Sequence, residues 1–172
     1  MTNHYIIRSF CLISALLLIN LNHGFGQISL DANEEIIFSF KTVNGKSIQI
    51  IKEKNDKYIF YRASKNGKIE LEYPEKNTDS WKKFHYTYYF RPNSNDLGMD
   101  LKFLEFTNEG YQYVVYDIYY ESGNEQKMGV RCTDQKTQKI FDLRAVRKSA
   151  KGDLSQLIYN ELISSSVGQL FE

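Results

Sequence analysis

Beyond residue 26 the chain holds one histidine, His85, and one cysteine, Cys132, so most of the side chains used for nucleophilic and metal chemistry are missing. A zinc site takes three or four Cys and His ligands, and only these two remain. A nucleophilic Cys–His pair has to join Cys132 to His85. Cys132 lies within Gly-Val-Arg-Cys-Thr, mid-strand, without the helix N-terminus or basic cluster that lowers a thiol pKa, and reads as a small buried apolar group. A Ser-His-Asp arrangement again has His85 as its only base, and no Gly-x-Ser-x-Gly turn occurs. No glycine loop that cradles phosphate is present, and no cofactor is expected.

Carboxylates are plentiful, which leaves a paired-acid hydrolase in play. Glu70 and Glu72 share one face of a strand opposite Ile69, Leu71 and Tyr73, an arrangement read as simple solvation. The loop 93–100 carries several oxygen donors suited to calcium, but Leu97 and Leu104 occupy positions that an EF-hand gives to ligands, and the loop reads as turns. No metal is expected.

What remains is aromatic. Thirteen tyrosines and eleven phenylalanines concentrate between Trp81 and Tyr120. Over 84–91, strand alternation puts Phe84, Tyr86, Tyr88 and Phe90 on a core face and His85, Thr87, Tyr89 and Arg91 on a face toward water or ligand. Tyrosine combines a ring that buries well with a hydroxyl that needs a partner, so it suits a sugar platform or a protein interface. The candidate binding face is therefore Trp81, His85, Tyr89 and Arg91. The competing reading is that these rings satisfy strand propensity and fill a small core. Over 111–120 both faces are partly apolar, which predicts a central strand covered on both sides.

The elements that must position these residues read as all-β: an antiparallel sandwich or barrel of about 8–9 strands in hairpins, with a short C-terminal helix or tail. Strands are predicted at 36–43, 46–53, 57–63, 68–73, 82–91, 100–107, 111–121, 126–133 and 138–144. Asn44-Gly45 and Asn66-Gly67 predict two-residue type I′ hairpins, because both central positions need positive φ. Glu109-Gly110 and Ser122-Gly123-Asn124 predict looser returns. Pro74 and Pro92 end strands. Asp153 stands before Leu154, Leu157, Ile158, Leu162 and Ile163, the spacing of one side of a short helix with Gln156 completing a capping box. A last short strand near Gly168 and 170–172 is the alternative.

The first segment has Arg8, an apolar stretch over 10–19, then small residues at Gly24 and Gly26, the order of a secretory signal cut between Gly26 and Gln27. The apolar run is shorter than the roughly 20 residues that span a bilayer, so no stable membrane anchor is expected after cleavage. Residues 1–26 are thus a removed signal peptide and 27–172 one β-rich domain, exported to the periplasm or secreted. The single cysteine leaves no disulfide, and stability must come from a core. Removing Arg8 leaves basic and acidic residues in balance, which argues against nucleic acid as partner.

The runs over 57–62 and 67–74, then 81–84, 86–91 and 110–116, resemble a group of small exported bacterial β-rich proteins of unknown function, the likeness covering roughly 46–145. The resemblance implies a secreted or periplasmic β-rich domain and brings no catalytic residues. Members tend to have a cysteine in the second strand and a glycine-rich loop after the aromatic strand, where this chain has Ile50 or Ile51 and residues 92–96.

The leading expectation is an exported non-catalytic binding domain of the envelope, taking an envelope or extracellular protein or a glycan. The alternatives are a carboxylate-dependent hydrolase acting on glycans or peptidoglycan, and a self-associating structural envelope protein.

Overall fold

A computed structural model describes residues 28–92 and 98–167 of the chain. The signal-cleavage pair Gly26 and Gln27, residues 93–97 of the candidate calcium loop and the proposed strand near 168–172 lie outside the described residues. The architecture is all-β. The strands are β1 Glu34–Lys41, β2 Lys46–Glu53, β3 Ile59–Lys65, β4 Lys68–Tyr73, β5 His85–Arg91, β6 Met99–Asn108, β7 Tyr111–Tyr120, β8 Glu125–Asp134, β9 Ile140–Arg144, β10 Lys151–Gly152 and β11 Ser164–Val167.

They form a five-stranded sheet in the order β10-β1-β2-β3-β4 and a six-stranded sheet in the order β11-β5-β6-β7-β8-β9. The arrangement is a sandwich of two sheets, not a closed barrel. The nine predicted strands correspond to β1 to β9, and β10 and β11 add to them. Every pairing is antiparallel except that of β11 with β5, where Ser164 to Val167 run alongside His85 to Tyr88.

The inner faces carry the core. Ile48, Ile50 and Tyr61 of the first sheet meet Tyr86, Leu104, Phe106, Val115 and Val130 of the second, all buried. Phe106 is the hub of its aromatic part, stacked on Tyr113 at 4.7 Å and on Tyr73 at 5.1 Å, and edge-on to Phe84 at 5.4 Å. Offset and edge-to-face pairs of this kind stabilise beyond the area they bury.

Several local expectations change. Asn66 and Gly67 both take positive φ between the paired Lys65 and Lys68, the two-residue hairpin expected. Of Asn44 and Gly45, only Gly45 does. That return is longer, closed by the Thr42 amide donating to the Lys46 carbonyl at 2.8 Å. Glu109-Gly110, read as looser, is instead a tight two-residue turn with both φ positive between Asn108 and Tyr111. Glutamate tolerates the left-handed region poorly, so its sequence signal is weak.

The expected C-terminal helix is a single 3-10 turn, Leu154–Leu157, whose Asp153 cap accepts from the Ser155 amide at 2.6 Å. Leu154, Leu157 and Ile163 do bury, but Ile158 is extended and Tyr159 has φ 64, which ends the turn. The chain then pairs β11 with the edge of β5, giving that edge its hydrogen bonds.

Phe90, expected in the core, is 65% exposed. The inner face at that end of β5 and β6 carries Asp100 and Lys102, opposite Phe90 and Tyr88, with Asp117 beyond, so there is no apolar layer for the ring to join.

Candidate functional site

Pairing across the six-stranded sheet fixes what its outer face presents. One cross-strand row runs Tyr89, Leu101, Ile118, Lys127; the next runs Thr87, Phe103, Tyr116, Gly129, Arg144; the third runs His85, Glu105, Val114, Arg131, Asp142. Leu101, Phe103 and Tyr116 form a second apolar cluster, separate from the core, with Tyr89, Met99, Val114, Ile118 and Tyr120 packed against it. The prediction that β7 is central holds, since it lies between β6 and β8. The expectation that it is covered on both sides does not hold: on the outer face Val114, Ile118 and Tyr120 remain partly exposed, outside the sandwich core.

This face contains a cavity of about 590 Å³. Its apolar lining comes from Leu101, Phe103, Val114, Tyr116, Ile118 and Tyr120. Lys127, Arg131, Arg144 and Arg147 supply four cations to its margin, and Asp142 is the one carboxylate among its described lining residues. The volume falls within the ~300–1,000 Å³ of small-ligand pockets.

Gly129 explains how the two parts meet. A Cβ there would lie 2.4 Å from the Tyr116 hydroxyl and 2.7 Å from the Leu143 carbonyl oxygen, so only glycine lets the tyrosine lie across β8. The Tyr116 hydroxyl then reaches past it and donates to Asp142 Oδ1 at 2.9 Å. Burial and this carboxylate together hold the phenol above its ordinary pKa, so it stays a donor. Asp142 Oδ2 also pairs with Arg144 Nε at 3.4 Å. The one acid of the cavity is thus engaged by neighbours, whereas Arg144 stays 80% exposed in its side chain.

The four residues predicted as a binding face divide. His85, Tyr89 and Arg91 share the outer face, and Tyr89 packs against the apolar cluster. Trp81 does not join them. It sits in the 3-10 turn Ser80–Lys83, is 2% exposed and belongs to the core, with Nε1 donating to the Asp56 carbonyl at 2.8 Å. The turn directs the ring between the sheets, where its area is buried and its N–H satisfied.

His85 stands at a second, more open concavity of about 470 Å³ that includes Glu105, Gln112 and Ser164. Its Nδ1 lies 3.1 Å from the Ser164 hydroxyl and Nε2 3.0 Å from that of Ser166. Serine hydroxyls bracket both ring nitrogens, so neither is held by a carboxylate in the way that a catalytic triad orients its base. Glu105, opposite on β6, accepts instead from Gln112 Nε2 at 3.1 Å, and burial raises its pKa.

The other candidate chemistry resolves simply. Cys132 faces the core, paired with Tyr113, on the opposite side of the sheet from His85. Burial pushes its thiol up to about 11, the reverse of an activated cysteine. We expect the folded protein to react with a disulfide reagent at pH 8 at least ~10-fold more slowly than the unfolded chain, as a thiol-release assay reads. Glu72 accepts from Arg62 Nε at 2.7 Å and Glu70 pairs with Lys46, so both are cross-strand ion pairs. Among the described residues no cluster of three His, Cys, Asp or Glu side chains is disposed to hold a metal, and no helix is long and apolar enough to cross a membrane.

Sequence reasoning missed the centre of the cavity: Leu101, Tyr116, Ile118, Gly129, Arg131 and Arg144. The available signal was the second apolar stripe of β7, Val114, Tyr116, Ile118 and Tyr120. No protein-family model, curated protein or solved structure matches the chain.

Proposed function

We propose that the chain is an exported, non-catalytic binding domain of the bacterial envelope whose ligand occupies the concavity on the outer face of the six-stranded sheet. The observation that carries this reading is a cavity of about 590 Å³ outside the sandwich core, with an apolar floor from β6 and β7 and a polar margin from β8, β9 and Arg147. Its aliphatic lining, Leu101, Val114 and Ile118 beside two tyrosines, favours an apolar group over a glycan, whose hydroxyls need hydrogen-bond partners along the whole floor.

The two other functions find less support. A hydrolase using paired acids needs two carboxylates facing one substrate, roughly 5–9.5 Å apart. The two concavities described here have one each, Asp142 and Glu105. A self-associating envelope protein needs an inviting sheet edge. The edge strand β10 is two residues long, β11 four and β9 five, and β4 carries Lys68, Glu70 and Glu72. Short and charged edges oppose strand addition.

Saturable binding of a neutral fluorescent naphthylamine, displaced by decanol, is the expected result with the purified protein. A flat titration contradicts the site. For the export half of the reading, mass spectrometry of protein recovered from the producing cells should find Gln27 as the first residue; Met1 retained on cytosolic protein overturns it.

A further inference from the structure

We infer that the natural ligand is a free single-chain amphiphile with an anionic head, its chain on the floor formed by β6 and β7 and its carboxylate at the cationic margin formed by β8 and β9. This rests on the cavity being a ligand site and specifies what that site takes.

Three features converge on this chemistry. The first is segregation: Leu101 and Ile118, Phe103 and Tyr116, and Val114 come from β6 and β7, while Lys127, Arg131 and Arg144 come from β8 and β9, with the acids Glu105 of β6 and Glu125 of β8 in the outlying positions of this face. A ligand spanning the row must be apolar at one end and charged at the other. The second is sign: of the four cations at the margin, Lys127 pairs with Glu125 and Arg144 with Asp142, which also accepts from Tyr116, so Arg131 and Arg147 carry the excess positive charge. An incoming anion supplies the charge that Asp142 alone does not. The third is geometry at Gly129, where the Tyr116 phenol lies across β8 and its hydroxyl meets Asp142, so the apolar floor runs directly up to the cationic margin. Arginine is well suited to that margin, since its planar fork matches a carboxylate.

A second copy of the chain fits the same surface poorly. An isologous interface would set one concavity against another and like-charged margins face to face. Small concave volumes instead match small ligands.

The test compares decanoate, decanol and decyltrimethylammonium as displacers of the neutral naphthylamine probe, with the protein at low and moderate salt. The expected order of affinity is decanoate, then decanol, then the ammonium, with the gap between the first two shrinking as salt rises. In the double variant Arg131→Glu/Arg144→Glu, decanoate affinity should fall at least ~10-fold while decanol changes by less than ~3-fold. Both arginines are exposed, and an unchanged circular dichroism spectrum and melting temperature verify that the variant folds. Equal affinity for all three displacers, or a preference for the ammonium, overturns the anionic assignment and leaves the apolar site standing. Failure of the probe and decanol to bind overturns the site itself. Binding to vesicles of anionic lipid without binding of decanoate overturns the inference in favour of a membrane surface.

Discussion

Replacing Trp81 by alanine is expected to destabilise the protein by about 3–5 kcal/mol, the range for removing a large buried aromatic side chain. For a domain of this size the melting temperature should drop roughly 6–20 °C. The ring is 2% exposed and its N–H satisfies the Asp56 carbonyl, so the alanine variant leaves both a cavity and a buried acceptor without its donor. Trp81→Phe should lose less, because the ring volume is partly kept. Tyr89→Ala, at a half-buried position on the outer face, should cost only about 1 kcal/mol. Thermal unfolding of the three variants decides the matter. A Trp81→Ala protein that melts like the parent but binds the apolar probe more weakly would return Trp81 to the ligand face and contradict its place in the core.

The second large effect is expected at Ile118. Ile118→Glu sets a carboxylate among Leu101, Tyr89 and Tyr120 on the cavity floor. A charge brought into an apolar site costs about 2 kcal/mol or more on ligand burial, so affinity for the neutral probe should fall at least ~30-fold. The half-exposed position lets the free protein hydrate the new charge, and stability should change little. Phe90→Glu is the matched control: the residue is 65% exposed and points away from the cavity, on the inner side of β5. Probe binding should be unaffected there. Equal loss in both variants would place the site elsewhere on the sheet.

The strands were legible because their signals are local. Alternating residues and turn pairs such as Asn66-Gly67 act within a few positions, and nine predicted strands correspond to nine observed ones. The returns were less legible where the turn is set by pairing rather than residue type. Glu109-Gly110 closes tightly because the ten-residue register of β6 on β7 demands it, although glutamate gives no hint of a positive φ. The segment after Asp153 shows the same limit: its apolar spacing suits a helix, but Tyr159 in the left-handed region and the open edge of β5 turn the chain into β11.

The site was half legible. Alternation correctly separated His85, Tyr89 and Arg91 from the core face, because faces follow from parity. It could not place Trp81, which lies before β5 in a 3-10 turn outside the strand's alternation. Nor could it bring Arg131 and Arg144 beside Tyr116, since that neighbourhood depends on the pairing of β7, β8 and β9. Gly129 illustrates the difficulty well. Its meaning lies in the tyrosine across from it, 13 positions earlier in sequence.

Amide chemical-shift mapping during a decanol titration reads the location of binding residue by residue. Saturable shifts are expected on the outer-facing positions of β6, β7 and β8, largest at Leu101, Val114, Ile118 and Gly129, with Trp81 and the His85–Ser164 contact unmoved. Shifts centred on His85, Ser164 and Ser166, or a response that never saturates, would contradict a ligand site on this face.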